Sequence, residues 1–237
     1  MSAPVTHRPD VFDVRDIDQA KAIILTPELG RTTDERWALE TPYLANLIFE
    51  QTRPRADTVV LDYGCGIGRL SKALIEGSGC KVIGADTSND MRAMAPGYVG
   101  SGQFTVCDPR ALAQSGARCD VAIAVWVLQH CAFLDLDLDV IKGALKPGGL
   151  LFVVNEIRRC LPTDHGWIDD GRDLRAVLAA DYDVVAQGRL DPAVVTEPVS
   201  ERTFWAVYRA RELSRMKREM LERKQQKLAR KVGRRQA

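Results

Sequence analysis

The chain has 237 residues, 46% hydrophobic and 27% charged, ordinary globular usage in a length that can bury one large core. It contains no run of 18 apolar residues, and Met1 to Arg8 lacks an apolar signal region, so an integral membrane segment and secretion are both disfavoured. The net charge of +1 hides an asymmetry: from Arg209 onward twelve Lys or Arg stand against three Glu, about +9, which leaves about −8 on residues 1–208.

Residues 1–33, with Pro4, Pro9 and Pro27, read as an irregular N-terminal arm with one short helix at Asp18–Leu25. Thr41-Pro42 has the chemistry of a helix start, since threonine caps and proline suits the first helical position. Tyr43, Leu44, Leu47 and Ile48 make the apolar face of that helix. The most informative stretch follows, Thr58-Val59-Val60-Leu61-Asp62-Tyr63-Gly64-Cys65-Gly66-Ile67-Gly68, where a β-branched strand runs into three alternating glycines. Such glycines permit positive φ and close approach of a ligand to bare backbone. Leu70, Ala73 and Leu74 then repeat at helical spacing, which places a helix N-terminus beside that ligand. The pattern is G-x-G-x-G and lacks the last glycine of the dinucleotide fingerprint G-x-G-x-x-G, which argues against NAD.

A second strand, Lys81–Ala85, ends in Asp86, 18 residues beyond Gly68, where an acidic side chain can accept both ribose hydroxyls of a nucleoside; the plainer alternative is a helix cap beside Ser88. A helix at 88–95, a third strand at 103–107 ending in Asp108, a fourth at 120–125 and a helix at 132–145 come next. Leu134 to Asp139 alternates as a strand would, but Leu134, Leu138, Ile141 and Leu145 continue at helical spacing. A turn, Lys146-Pro147-Gly148-Gly149, leads into a fifth strand at 149–155, followed by a helix at Asp170–Ala180 and strands at Tyr182–Leu190 and Thr203–Arg209. The alternation implies an α/β fold, a doubly wound, mostly parallel seven-stranded sheet with helices on both faces.

Leu61-Asp62-Tyr63-Gly64-Cys65-Gly66-Ile67-Gly68, with Asp86, Asp108 and the Gly148-Gly149 turn in order, resembles the class I S-adenosylmethionine-dependent methyltransferases over about residues 34–209. The resemblance implies a Rossmann-like domain over 34–209, flanked by the arm and by a basic tail at 210–237, and S-adenosylmethionine as cofactor. It places Asp62, Gly64, Cys65, Gly66, Gly68, Asp86, Thr87, Met91, Asp108, Pro109 and Trp126 around that cofactor, with Asp108 near the adenine amino group. It also implies that the last two strands form an antiparallel hairpin at the sheet edge. Arg36 and Trp37 precede the first strand, in a segment that lids the site in this family, and Arg36 could bind the cofactor carboxylate bidentately.

A sulfonium methyl is already electrophilic, so the protein must align a nucleophile, exclude water and, where needed, remove a proton. His130, just past the fourth strand, is the candidate general base, with a packing role as the alternative. Arg158, Arg159, His165 and Trp167 form a cluster suited to an anionic or aromatic acceptor. No Asn-Pro-Pro-Tyr follows the fourth strand, which disfavours base amino methylation. Trp126 stands where a metal-binding site would want a carboxylate, so no metal is expected. Six cysteines without a C-x-x-C pair suggest neither zinc nor a disulfide framework and fit a cytoplasmic protein.

The expected function is methyl transfer to an oxygen or nitrogen of a small-molecule acceptor. Two alternatives stand beside it: an RNA or protein methyltransferase docking through the basic tail, and a cofactor-binding module without transfer activity. Leu213, Met216, Met220 and Leu228 give that tail the pattern of an amphipathic helix, and no oligomeric state follows from the sequence.

Overall fold

The computed structural model describes residues 5–211; the basic tail beyond Arg211, with its expected helix, lies outside the described residues. In chain order the elements are α1 (Ile17–Ile24), α2 (Thr33–Thr52), β1 (Val59–Tyr63), α3 (Arg69–Ser78), β2 (Lys81–Ala85), α4 (Asn89–Val99), β3 (Phe104–Cys107), α5 (Pro109–Ser115), β4 (Cys119–Val125), α6 (Leu134–Ala144) and β5 (Leu145–Glu156). These are followed by β6 (Leu161–Thr163), β7 (Gly166–Ile168), α7 (Leu174–Asp181), β8 (Tyr182–Gly188), α8 (Pro192–Val195), α9 (Glu197–Arg202) and β9 (Thr203–Ala210).

Seven strands form one sheet in the order β3-β2-β1-β4-β5-β9-β8. The β1–β5 pairings are all parallel, and β9 runs antiparallel to both β5 and β8. The chain winds outward from β1 to β3, then returns to start β4 on the other side of β1. Between β1 and β4, therefore, the carboxyl ends of neighbouring strands open into the crevice where ligands bind in such sheets. Because both faces of the sheet are covered, its central strands are apolar throughout. Leu61 and Ala122 join α5, α6 and α7 in one buried cluster, while Val60, Ile123 and Phe152 join α2, α3 and α4 in another. Full burial of side chains such as Leu61, Ile123 and Phe152 contributes roughly 1.5–3 kcal/mol each.

The elements depart from the sequence expectation in three places. The helix expected from Thr41 begins at Thr33 instead. Thr32 caps it, accepting from the Glu35 amide at 3.2 Å while Glu35 accepts from the Thr32 amide at 2.8 Å, and Pro42 lies inside the helix. A proline there removes one helical hydrogen bond at a cost of about 3 kcal/mol. Burial of Leu44, Ala45 and Ile48 against the sheet offsets that cost. The region after β5 is not merely a loop: it holds the β6–β7 hairpin, and the following helix starts at Leu174, capped by Asp173, rather than at Asp170. The last two sheet strands are antiparallel neighbours, yet α8 and α9 stand between them, so the connection is no tight hairpin.

The N-terminal arm is also built into the fold. Residues 5–8 add to the β6–β7 hairpin through Thr6 N to Asp164 Oδ1 at 3.0 Å, Asp164 N to Thr6 O at 3.0 Å and Arg8 N to Pro162 O at 2.9 Å. A single 3-10 turn, Pro9–Phe12, then carries Phe12 over the sheet's carboxyl edge.

Candidate active site

A cavity of about 580 Å³ opens at the carboxyl ends of β1 and β4. Its floor is the glycine loop. Gly64 and Gly66 hold φ of +75° and +54°, a backbone region that side-chain-bearing residues rarely adopt. A Cβ on Gly64 would lie 2.3 Å from Val127 Cγ2, and one on Gly66 would lie 2.7 Å from Ile24 Cδ1. Bare backbone is thus needed for packing of the loop as well as for ligand approach. Asp86 ties the loop down: Oδ2 accepts the Gly66 amide at 2.8 Å and Oδ1 accepts the Ser88 amide at 2.9 Å. Burial pushes its carboxyl above the usual range while these two amides and Arg92 pull it down. A carboxylate offers about four lone-pair sites, so two remain for a diol.

Thr87, Met91 and Pro109 line the cavity beside Asp86, and Trp126 and Arg36 line it farther along. Trp126 has a φ of +61°, and its buried Nε1 has no hydrogen-bond partner among the described residues, so a donor awaits an acceptor at the end of β4. Arg36 is buried and engaged, donating Nε to Glu40 at 2.6 Å and Nη1 to the Thr26 carbonyl at 2.6 Å, with Glu28 at 3.4 Å. Arg202 pairs with that same Glu28 and with Glu156, at 3.0 Å from the latter, so one cavity wall is a row of alternating charges.

Five residues expected near the cofactor stand back from the cavity. Asp62 is buried beneath the loop, accepting from Ser71 Oγ at 2.7 Å, and burial raises its carboxyl to about 6. Cys65 turns inward toward Gly84, and Gly68 lies against Val99 at the start of α3. Trp37 packs edge-on against Tyr98 with Arg69 and Lys21 over its ring. Asp108 caps α5, its Oδ1 accepting the amides of Arg110 and Ala111 at 2.9 Å each; its neighbour Pro109 is the residue that reaches the cavity.

The roof comes from far apart in sequence. His130, on a 3-10 turn after β4, has ring-centroid distances of 5.6 Å to Phe12 and 5.3 Å to Trp167. Phe133 projects beside it, 71% exposed. Of the cluster after β5 only Trp167 lines the cavity. Arg159 is buried against Asp170 and the Cys131 carbonyl, and Arg158, exposed and donating to the Gly171 carbonyl, lies outside the cavity lining. Among the lining groups that escaped sequence reasoning are Tyr63, which donates to Asp137, and Gln129. Tyr63 sits inside the glycine motif as its unspecified residue, and Asp137 is one of several alternating aspartates, so no pattern distinguishes them. Among the described residues no group of three or more His, Cys, Asp or Glu is placed to hold a metal ion, and all six cysteines are free.

A family model for a methyltransferase domain matches residues 30–219. The chain belongs to the class I S-adenosylmethionine-dependent methyltransferases. Among curated relatives, a ubiquinone biosynthesis O-methyltransferase of Brucella anthropi is 33% identical over 105 residues, 43% of this chain and 42% of that protein. The chain thus aligns with less than half the length of that relative. A protein from Pyrococcus horikoshii superposes with a TM-score of 0.57 at 19% identity, over 83% of this chain and 100% of its own. An S-adenosylmethionine-dependent methyltransferase from Mesorhizobium loti gives 0.52 at 17%, over 68% and 97%. At such identities the structures speak for the fold alone. S-adenosylmethionine is the cofactor of the family, and the residues present suit it: a glycine loop, a carboxylate with lone pairs to accept a diol, and an orphaned indole donor at one cavity.

Proposed function

We propose that this chain transfers a methyl group from S-adenosylmethionine to an oxygen of a small-molecule acceptor. When bound, the cofactor supplies an electrophilic sulfonium methyl. Gly64 and Gly66 give it backbone approach, Asp86 accepts its hydroxyls, and Trp126 Nε1 offers a donor. The observation that carries the reading is His130 in the same cavity as the glycine loop, held neutral. Burial lowers its pKa, so the imidazole stands ready to take a proton from a hydroxyl as that oxygen attacks. The aromatic surfaces of Phe12, Phe133 and Trp167 beside it favour an apolar acceptor. The O-methyltransferase relative supports oxygen over nitrogen. No helix among the described residues is long and apolar enough to cross a membrane, and we place the reaction in the cytoplasm.

The test is transfer of labelled methyl from S-adenosylmethionine to a panel of phenols, carboxylic acids and amines, with wild type and His130→Ala in parallel. Wild type should label hydroxyl acceptors, and the variant should lose about 10²-fold in turnover with cofactor affinity nearly unchanged. Equal turnover by the variant on such an acceptor would remove His130 from the chemistry.

A further inference from the structure

Gln129 is buried, lines the cavity and is held at four points. Its side-chain Oε1 accepts the Glu156 amide at 2.8 Å, its own amide donates to Asn155 Oδ1 at 3.2 Å, and its carbonyl accepts the Cys160 amide at 2.9 Å. The fourth contact, 3.2 Å, is to His130 Nε2. Because the Glu156 amide can only donate, the Gln129 side-chain oxygen must face it, and the amino group must face His130. On the other side of the ring His130 Nδ1 lies 2.6 Å from the Cys160 carbonyl, which has no proton to give. The imidazole proton is therefore on Nδ1, and Nε2 is a lone pair already covered by an amide N–H. Gln129 holds both ends of this arrangement, the Cys160 amide N–H through its backbone carbonyl and His130 Nε2 through its side chain.

We propose that Gln129 is a positioning residue for methyl transfer, fixing His130 as the Nδ1–H tautomer and covering its Nε2 until an acceptor hydroxyl takes the place of the amide. The inference rests on the reading of His130 as the base. One neutral donor replaces another at Nε2, so the exchange leaves no buried lone pair unpaired. The acceptor oxygen's electron pair then forms the new O–CH3 bond, the S–CH3 pair returns to sulfur, and the hydroxyl proton ends on Nε2. A carboxamide at position 129 matters because a carboxylate there would give both ring nitrogens an acceptor and hold the imidazolium, leaving nothing to receive the proton. The groups around the ring leave that balance to Gln129. Phe12 and Trp167 are uncharged, the Cys131 and Cys160 thiols are pushed upward by burial, Glu156 is paired with Arg202, and His7 lines the same cavity from the N-terminal segment.

Long-range proton–nitrogen NMR of the histidine rings tests this on the full chain, the other two histidines being assigned through His7→Gln and His165→Gln. At pH 7.5 wild-type His130 should be neutral with its proton on Nδ1. In Gln129→Glu the doubly protonated ring should persist to higher pH than in wild type. The His130 titration should rise by about one pH unit or more, and the acid limb of kcat/KM should move with it. S-adenosylmethionine affinity by calorimetry should stay within about twofold, which separates this effect from loss of the fold. If Gln129→Glu does not fold, Gln129→Met, which cannot donate, should raise the titration by a smaller amount while the proton stays on Nδ1. A wild-type Nε2–H tautomer, or a titration unmoved in the variant that folds, overturns the proposal. Retained turnover in His130→Ala would defeat the base reading alone, since the tautomer is read without turnover.

Discussion

The floor and the roof of the cavity are built on opposite plans. In the floor the defining tie runs between adjacent parallel strands: Gly66 to Asp86 spans 20 residues, and the loop joins β1 directly to α3. The roof assembles residues from three remote segments, with Thr6 bound to Asp164 across 158 positions and Phe12, His130 and Trp167 meeting only in the fold. We assign the cofactor, which all members of the family share, to the floor and the acceptor to the roof. A site divided in this way can change acceptors by changing one hairpin and one N-terminal segment without disturbing the loop under the cofactor.

The largest effect is expected from breaking the floor. Gly66→Val puts a β-branched residue at a φ of +54° and a Cβ against Ile24, and should weaken S-adenosylmethionine binding by about 100-fold or more. Ile24 is a side-chain tip on α1 and can shift, so thermal melting should show that the sheet survives. Retained binding would mean that the loop is not the cofactor's seat. The counterpart in the roof is His130→Ala, with its loss in turnover and its unaltered cofactor affinity. Weakened cofactor binding in that variant would erase the division between the two halves.

A smaller effect sharpens the role of Asp62, which supports the floor from beneath. Burial raises its carboxyl from 3.8 to about 6, so the native state holds that proton more tightly than the unfolded chain. The resulting stability is fully present below about pH 4 and is lost as pH rises to about 6. The two-unit difference corresponds to at most about 3 kcal/mol. Asp62→Asn keeps the acceptor for Ser71 and carries no charge, so denaturant titrations between pH 4 and 7 should lose this dependence. An identical pH profile in the variant would show that Asp62 is not the group responsible.

The floor was legible because its signals are local. A strand, three alternating glycines and an acid at the next strand end describe the loop, and the parallel sheet follows from the alternation of elements. Proximity in sequence still misplaced some side chains: Asp62 and Cys65 sit in the motif yet face the core, Asp62 because successive residues of a strand point to opposite faces and Cys65 because the loop turns it toward Gly84. Most of the roof was hidden. Nothing near Phe12 or Thr6 in the sequence names a partner more than 100 residues away, and Gln129 gains its role only through the Glu156 amide and the Cys160 carbonyl. Trp167 and His130 were visible as residue types, whereas their contact was not. The Thr41-Pro42 start failed for a different reason: another local signal, the Thr32–Glu35 capping box, starts the helix upstream and carries it through Pro42.

Titration calorimetry of S-adenosylmethionine against wild type and Asp86→Ala tests most directly that the floor is the cofactor site. Asp86 offers lone pairs to a diol and also anchors the Gly66 amide, so its removal takes away two charged hydrogen bonds of roughly 1.5 to 3 kcal/mol each and the loop's tether. Wild type should bind saturably, and the variant should bind about 100-fold more weakly or not at all. Binding by the variant within about twofold of wild type would contradict the assignment.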